Sequence, residues 1–180
     1  MTETKIPEIL FKIKSQVFDK LGMRFGNLIE NKESAAYSAY SFDIDAKKVL
    51  FRNAKITPKK IGQFVTVWKR NEIGVTQPYD VADQLDYIII NVAFEKRTAQ
   101  FVFPKPVLLR QGIISSASTQ GKRGLRVYPI WDKPNSKQAE KTQKWQLEYF
   151  IEISDEKTLD LALAKRIYLE NQLHVGQQRR

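Results

Sequence analysis

YIIINVAF, residues 87–94, decides the fold. The run is almost unbroken in apolar side chains and rich in β-branched ones. A strand with one wet face alternates apolar and polar positions, whereas a strand covered on both faces does not. The stretch therefore predicts a strand in the middle of a sheet, with packed layers on either side. Leaving it in water would forfeit roughly 1.5–3 kcal/mol for each large side chain.

Working outward, QFVF (100–103) reads as a neighbouring strand that Pro104 ends, joined to the first by a short loop at 95–99. Upstream, YSAYSFDI (37–44) and Val49-Leu50-Phe51 form a hairpin about an Asp45-Ala46-Lys47 turn. Phe64–Trp68 is an apolar strand entered through a Pro58/Gly62 turn. We expect one mixed central sheet holding the strands near 64–69, 86–94 and 100–103. Residues 71–84 read as a polar loop, and Leu125–Tyr128 as a further short strand.

Ile6, Ile9, Leu10, Ile13, Val17 and Leu21 recur at helical spacing, with Pro7 in the first turn and Gly22 after the end. They predict a helix over 6–21. MRFGNLIENKES (23–34) reads as a connection or a short helix. Val107–Ile113 fits a short helix entered at Pro106. A helix over 136–151, capped by Asn135 or Ser136, would turn Ala139, Trp145 and Phe150 inward. Ser154 with Asp155 and Glu156 opens a last helix to about Asn171, and 171–180 reads as a flexible tail. The order implies an α/β domain spanning 1–180, a central mixed β-sheet flanked by helices. An α+β layout with all helices on one face is the alternative.

The chain has 180 residues, no Cys and one His, His174. Disulfides, thiolate zinc sites and Cys nucleophiles are thereby excluded, and a Ser-His-Asp triad finds little support. The N-terminal stretch lacks the apolar core of a signal peptide, and no run approaches a membrane span. A cytoplasmic protein without a membrane partner is expected.

Lys and Arg number 30 against 20 Asp and Glu, a net charge of +10 that favours polyanionic partners. The charge is segregated. Between Asp45 and Glu72 lie Lys47, Lys48, Arg52, Lys55, Lys59, Lys60, Lys69 and Arg70 with no acid. Between Glu95 and Asp132 lie Lys96, Arg97, Lys105, Arg110, Lys122, Arg123 and Arg126, again with none. Residues 72–95 hold Glu72, Asp80, Asp83, Asp86 and Glu95 with no cation. One reading makes the acids a divalent-cation site and the basic blocks a phosphate-facing surface, with Arg52, Lys55, Lys69, Arg70, Lys122, Arg123 and Arg126 as contacts. The other is charge pairing between neighbouring strands. In GKRG (121–124) flanking glycines let backbone amides approach an anion, which makes the loop a candidate phosphate clamp; a plain mobile loop is the alternative. Trp68, Trp131, Trp145, Tyr128 and Tyr149 either stack on bases or pack in the core. Gln143, Gln146 and Tyr149 form a polar ridge on one helix face.

FRNAKITPKKIGQFVTVWKR (51–70), Asp83 and Asp86 before YIII, QFVFPK (100–105), GKRGLRVYPIWD (121–132) and TQKWQLEYF (142–150) together resemble the bacterial MepB family. The resemblance implies a restriction-endonuclease-like α/β fold more than it implies a mechanism. Such enzymes hold Mg2+ or Mn2+ between an Asp on one strand and a Glu-x-Lys on the next. Carried over, Asp86 is the metal ligand and Lys105 the phosphate or water contact. Phe103 stands where the second carboxylate is expected, so Gln100, Asp83 or Asp80 would have to substitute. Asp86, Lys105 and Gln100 are the catalytic candidates and Asp83 and Asp86 the metal ligands. The functional expectation is a DNA-binding protein with a degenerate nuclease-like metal site, retaining at most weak phosphodiesterase activity. A non-catalytic module for a phosphate-containing ligand, or for an acidic protein, is the alternative.

Overall fold

The structure, a computed structural model, describes residues 5–154 and 159–170. The chain opens with helix α1 (Glu8–Ile13), which continues as a π-helical turn, Lys14–Phe18. Strand β1 (Phe25–Glu30), a 3₁₀ segment (Lys32–Tyr37), β2 (Tyr40–Ile44) and β3 (Lys47–Asn53) follow. Next come β4 (Lys55–Thr57), β5 (Lys60–Thr66), β6 (Trp68–Arg70) and β7 (Thr76–Pro78). Then β8 (Tyr87–Phe94) and β9 (Arg97–Pro104) form a hairpin, and α2 (Lys105–Arg110) starts directly from Pro104. β10 (Gly124–Val127), α3 (Lys137–Gln146), β11 (Phe150–Glu152) and α4 (Leu161–Lys165, extended by Arg166–Glu170) complete the described chain.

The main sheet has the order β1-β2-β3-β8-β9-β11. The β3–β8 pairing, Val49↔Tyr87 to Asn53↔Asn91, is parallel, and the other pairings are antiparallel. The sheet is thus mixed, and β8 is interior as its composition requires. Ile88, Ile89 and Ile90 are all at most 1 % exposed. One face lies under α1 and α4, where Tyr87 donates to the Tyr168 carbonyl at 2.9 Å and Phe18 meets the Tyr168 ring edge-on at 5.6 Å. The other face carries Phe101 and Phe103, which pack on Phe150 and Trp145.

The strand near 64–69 is not part of this sheet. β5 pairs with β10 and β4 in a separate three-stranded sheet, and β6 pairs with β7 in a two-stranded ribbon. Its burial explains this: Gln63, Val65 and Val67 are covered while Phe64 and Thr66 stay half-exposed. A one-sided strand needs only one packed layer. Three further elements differ from expectation. Residues 25–30 are an edge strand, not a connection or helix, and 76–78 interrupt the polar loop as a strand. α3 stops at Gln146, after which Phe150 pairs with Phe101 on an edge strand instead of facing inward from a helix. Ser136 is the cap, its Oγ accepting from the Ala139 amide at 3.2 Å. Asp160 caps α4 by accepting from the Leu163 amide at 3.0 Å. Asp155, Glu156, His174 and the expected tail 171–180 lie outside the described residues.

Candidate nucleic-acid interface

The three-stranded sheet turns one face to solvent. Across it Arg126, Phe64 and Lys55 form a row set by the β10–β5–β4 register. The Lys55 ammonium lies 4.7 Å from the centre of the Tyr37 ring. Arg126 donates to Thr57 Oγ1 at 3.0 Å and to the Gly62 carbonyl at 3.1 Å, so its guanidinium is held in place. Between this face and α3 runs a groove of about 510 Å³. Lys60, Lys122 and Arg126 supply its charge, Phe64, Tyr128 and Trp145 its aromatic surface, and none of its lining residues is acidic.

Gln146 joins the two walls. Fully buried, it accepts from the Tyr128 amide at 2.9 Å and donates to the Arg126 carbonyl at 3.0 Å. Gln143 donates to the Pro129 and Asp132 carbonyls, both at 3.0 Å. These amides clamp α3 to β10 and the segment that follows it; they are not a ridge facing a ligand. Tyr149 is buried, and Trp145 packs against Phe103 with ring centres 5.1 Å apart and the planes tilted by 47°, so both aromatics serve the core as well.

GKRG is pinned. The Gly121 amide donates to Ser115 Oγ at 2.8 Å and the Lys122 amide to the Ile113 carbonyl at 2.9 Å. A Cβ on Gly121 would sit 2.7 Å from the Ile113 carbonyl oxygen, so the residue has to be glycine for this close approach. With those two amides spent internally, neither is free to cradle an anion. Arg123 donates through Nε and NH2 to the Thr76 carbonyl, at 3.2 and 3.1 Å, and ties the loop to β7. Lys122 alone of the four lines the groove with a charge.

Arg52, Lys69 and Arg70 lie elsewhere, around a second cleft of about 310 Å³ between the main sheet and the β6–β7 ribbon. Arg52 is 2 % exposed and adds nothing to a positive surface. Lys69 is bound to Asp83 at 2.6 Å; Arg70 pairs with Glu33 at 3.1 Å and covers the Trp68 ring. Burial pushes the Tyr79 hydroxyl pKa up, and the neighbouring Arg52 guanidinium opposes the shift.

Of the residues carried over as a metal site, Asp80, Asp83, Asp86 and Lys105 lie together beside the matching ends of β8 and β9, but their side chains turn to separate partners, and Gln100 is remote. Asp83 Oδ1 is taken by Lys69, and its Oδ2 accepts from the Asp80 amide at 2.8 Å. Asp86 Oδ2 accepts from the Lys48 amide at 2.8 Å. Lys105 donates to the Asp83 carbonyl at 2.7 Å, and Asp80 accepts from the Ala82 amide. Gln100 is fully buried under α4, accepting from the Tyr168 hydroxyl at 3.3 Å, about 16 Å down the strand from Lys105. Mg2+ takes about six oxygen ligands at octahedral positions. Asp83 is already neutralised and Gln100 is remote, so this donor set does not fit the ion. Among the described residues no group of three or more His, Cys, Asp or Glu is placed to hold a metal. No helix among them is long and apolar enough to cross a membrane.

Two comparisons bear on the chain. A family model described as MepB-like matches residues 31–152, from the 3₁₀ segment to the end of β11, a span that contains both clefts. A crystal structure of MepB is similar at 33 % identity with a TM-score of 0.70, over 82 % of this chain and 97 % of that one. No curated protein matches. Sheet order, flanking helices and family agree on an α/β fold, and the chain belongs to the MepB-like family.

Proposed function

We propose that this protein is a bacterial, cytoplasmic nucleic-acid-binding module that holds DNA along the groove between β10 and α3, its nuclease-like metal site degenerate. The observation that carries the reading is the composition of that groove: three cations, three aromatics and no acid. Lys60 and Lys122 are exposed, and neither side chain has a hydrogen bond or ion pair among the described residues. Such cations displace counterions when they reach phosphates, while half-buried rings offer faces to bases. The first turn of α3 also faces the groove and adds the positive end of a helix dipole.

The test is fluorescence anisotropy with labelled duplex DNA, single-stranded DNA and RNA over a salt series, for the wild type and for Lys60→Glu with Lys122→Glu. The expected result is salt-dependent binding, weakened roughly tenfold or more in the variant. Its log–log salt slope should be shallower by about 1.8 on duplex DNA, about 0.9 for each phosphate that is no longer neutralised. Equal affinity and slope for the two proteins would remove the groove from the reading. No binding to any of these polymers at low salt would favour an acidic protein partner. Cleavage that requires manganese and disappears in Asp86→Asn would restore the catalytic reading.

A further inference from the structure

Arg52 is a buried charge that the groove does not use. Strand alternation sends it, with Leu50, to the face of β3 opposite Phe51, where Trp68, Lys69 and Arg70 of β6 and the neighbouring Tyr79 line a cleft with it. Its NH1 donates to the Phe51 carbonyl at 2.8 Å and, at 3.4 Å, to the Tyr40 carbonyl. Its Nε is buried with no acceptor. No carboxylate pairs with it among the described residues. A guanidinium has five donors and no acceptor, and one buried without a counter-charge is costly enough that proteins normally pair it.

The surroundings say what would complete it. Arg52 and Ser41 form the floor of the cleft; Trp68, Lys69 and Tyr79 form the wall above. Lys69 is matched by Asp83 and Arg70 by Glu33, so Arg52 leaves one unmatched positive charge. Hydroxyl and amide donors at the rim, Ser34 and Asn31 among them, suit an anion with several acceptor oxygens. Arg presents a fork that matches phosphate geometry, and the rings of Trp68 and Tyr79 give an apolar wall to whatever carries it. We propose that this cleft binds a terminal phosphate group, of a mononucleotide or of a strand end, with Arg52 as its seat. The inference stands apart from the groove and does not need it.

The test uses thermal melting and calorimetric titration of the full chain with inorganic phosphate, adenosine 5′-monophosphate, adenosine, and one oligonucleotide with and without a 5′-phosphate. At about ten times Kd, the phosphate-bearing probes should raise Tm by about 3–6 °C, and adenosine should not. Arg52→Met replaces an unpaired buried charge by an apolar chain; it should melt no lower than the wild type and lose the phosphate response. Should that variant fail to fold, Ser41→Glu decides. It keeps Arg52 and offers it a carboxylate from the diagonal position on β2, within reach of long side chains. Its phosphate response should vanish while its affinity for the 5′-hydroxyl oligonucleotide stays that of the wild type. Response to the mononucleotide alone, or to the phosphorylated strand alone, identifies the source of the phosphate. A wild type that responds to none of the probes, or a response that survives in Ser41→Glu, overturns the proposal.

Discussion

Lys105 and Asp86 stand at matching ends of β9 and β8, yet they meet only through the backbone: the Lys105 amide donates to the Asp86 carbonyl at 2.8 Å. The Lys105 ammonium passes on to the Asp83 carbonyl, and the Asp86 carboxylate turns the other way, to the Lys48 amide. The register that brings the two strand ends together is as the short 95–99 connection predicts. The side chains form neither a metal-and-lysine site nor a salt bridge between the two strands. Each closes a different piece of backbone.

This separation is measurable by double-mutant cycles on chemical denaturation. Asp86→Asn with Lys105→Met should couple by less than about 0.5 kcal/mol, because the two side chains do not touch. Asp83→Asn with Lys69→Met should couple by about 1 kcal/mol, as suits a half-buried ion pair at 2.6 Å. Millimolar magnesium should leave the wild-type Tm where it is. A larger coupling for the first pair, or a magnesium-dependent rise in Tm, would return Asp86 to the role the resemblance implies.

Acid titration probes the β1–β2 edge. Asn27 Nδ2 donates to Asp43 at 2.7 Å, and Lys48 Nζ lies 2.9 Å from the same carboxylate. The hydrogen bond from Asn27, seconded by Lys48, holds the Asp43 carboxyl below its ordinary value of 3.8, against the opposing effect of burial. The folded state therefore releases this proton at lower pH than the unfolded chain. The resulting stability is fully present above about pH 3.8 and is lost as pH falls through the folded value. Asp43→Ala should cost about 1 kcal/mol at pH 7, a Tm drop of about 2–4 °C. The gap between the two proteins should narrow in melts near pH 3. A gap that stays constant down to that pH would mean that the charge of Asp43 is idle.

Gln146 tests whether the groove depends on its clamp. Replacing it by Leu leaves the Tyr128 amide and the Arg126 carbonyl, both part-buried, without their partner. Each unsatisfied group costs about 1–3 kcal/mol, so the variant should lose about 2–6 kcal/mol by denaturant titration. DNA affinity should fall with it, since α3 and β10 are then free to separate. A stable variant whose DNA affinity falls would show that the clamp shapes the groove without carrying the fold's stability. A destabilised variant with full affinity would detach the groove from binding.

What could be read from the letters followed burial. YIIINVAF advertised an interior strand because both faces are covered from Tyr87 to Val92 and only Asn91 interrupts the apolar run. FGNLIE could not advertise β1: it is an edge strand with no buried residue and a register shift between Gly26 and Ile29. Three-residue β7, TQP, is too short for any period to show. For the sites, the basic blocks were visible, but their partition was not. Arg52 follows directly on the apolar Val49-Leu50-Phe51 run, and strand alternation puts it with Leu50 on one covered face. Trp68, Lys69 and Arg70 of β6 line the cleft over that face with Tyr79, and nothing in the letters places them beside Arg52. Lys122 and Arg123 are equivalent as letters and opposite as structure.

That last pair yields the sharpest mutational contrast. Lys122 lines the groove and has no side-chain partner among the described residues, whereas Arg123 spends two donors on the Thr76 carbonyl and anchors β7. Lys122→Glu should leave Tm within about 1 °C, as an exposed substitution does. It should weaken DNA binding and remove about 0.9 from the log–log salt slope on a duplex. Arg123→Ala should do the reverse, lowering stability by about 1 kcal/mol with the slope unchanged. Reversing both residues together would hide the difference, so they have to be changed singly. If Arg123→Ala flattens the salt slope as much as Lys122→Glu does, both cations reach phosphate and the bound strand extends past the groove toward β7. If neither changes it, GKRG is scaffold alone and the phosphate contacts must come from Lys60, Arg126 and Lys55 on the open face of the small sheet.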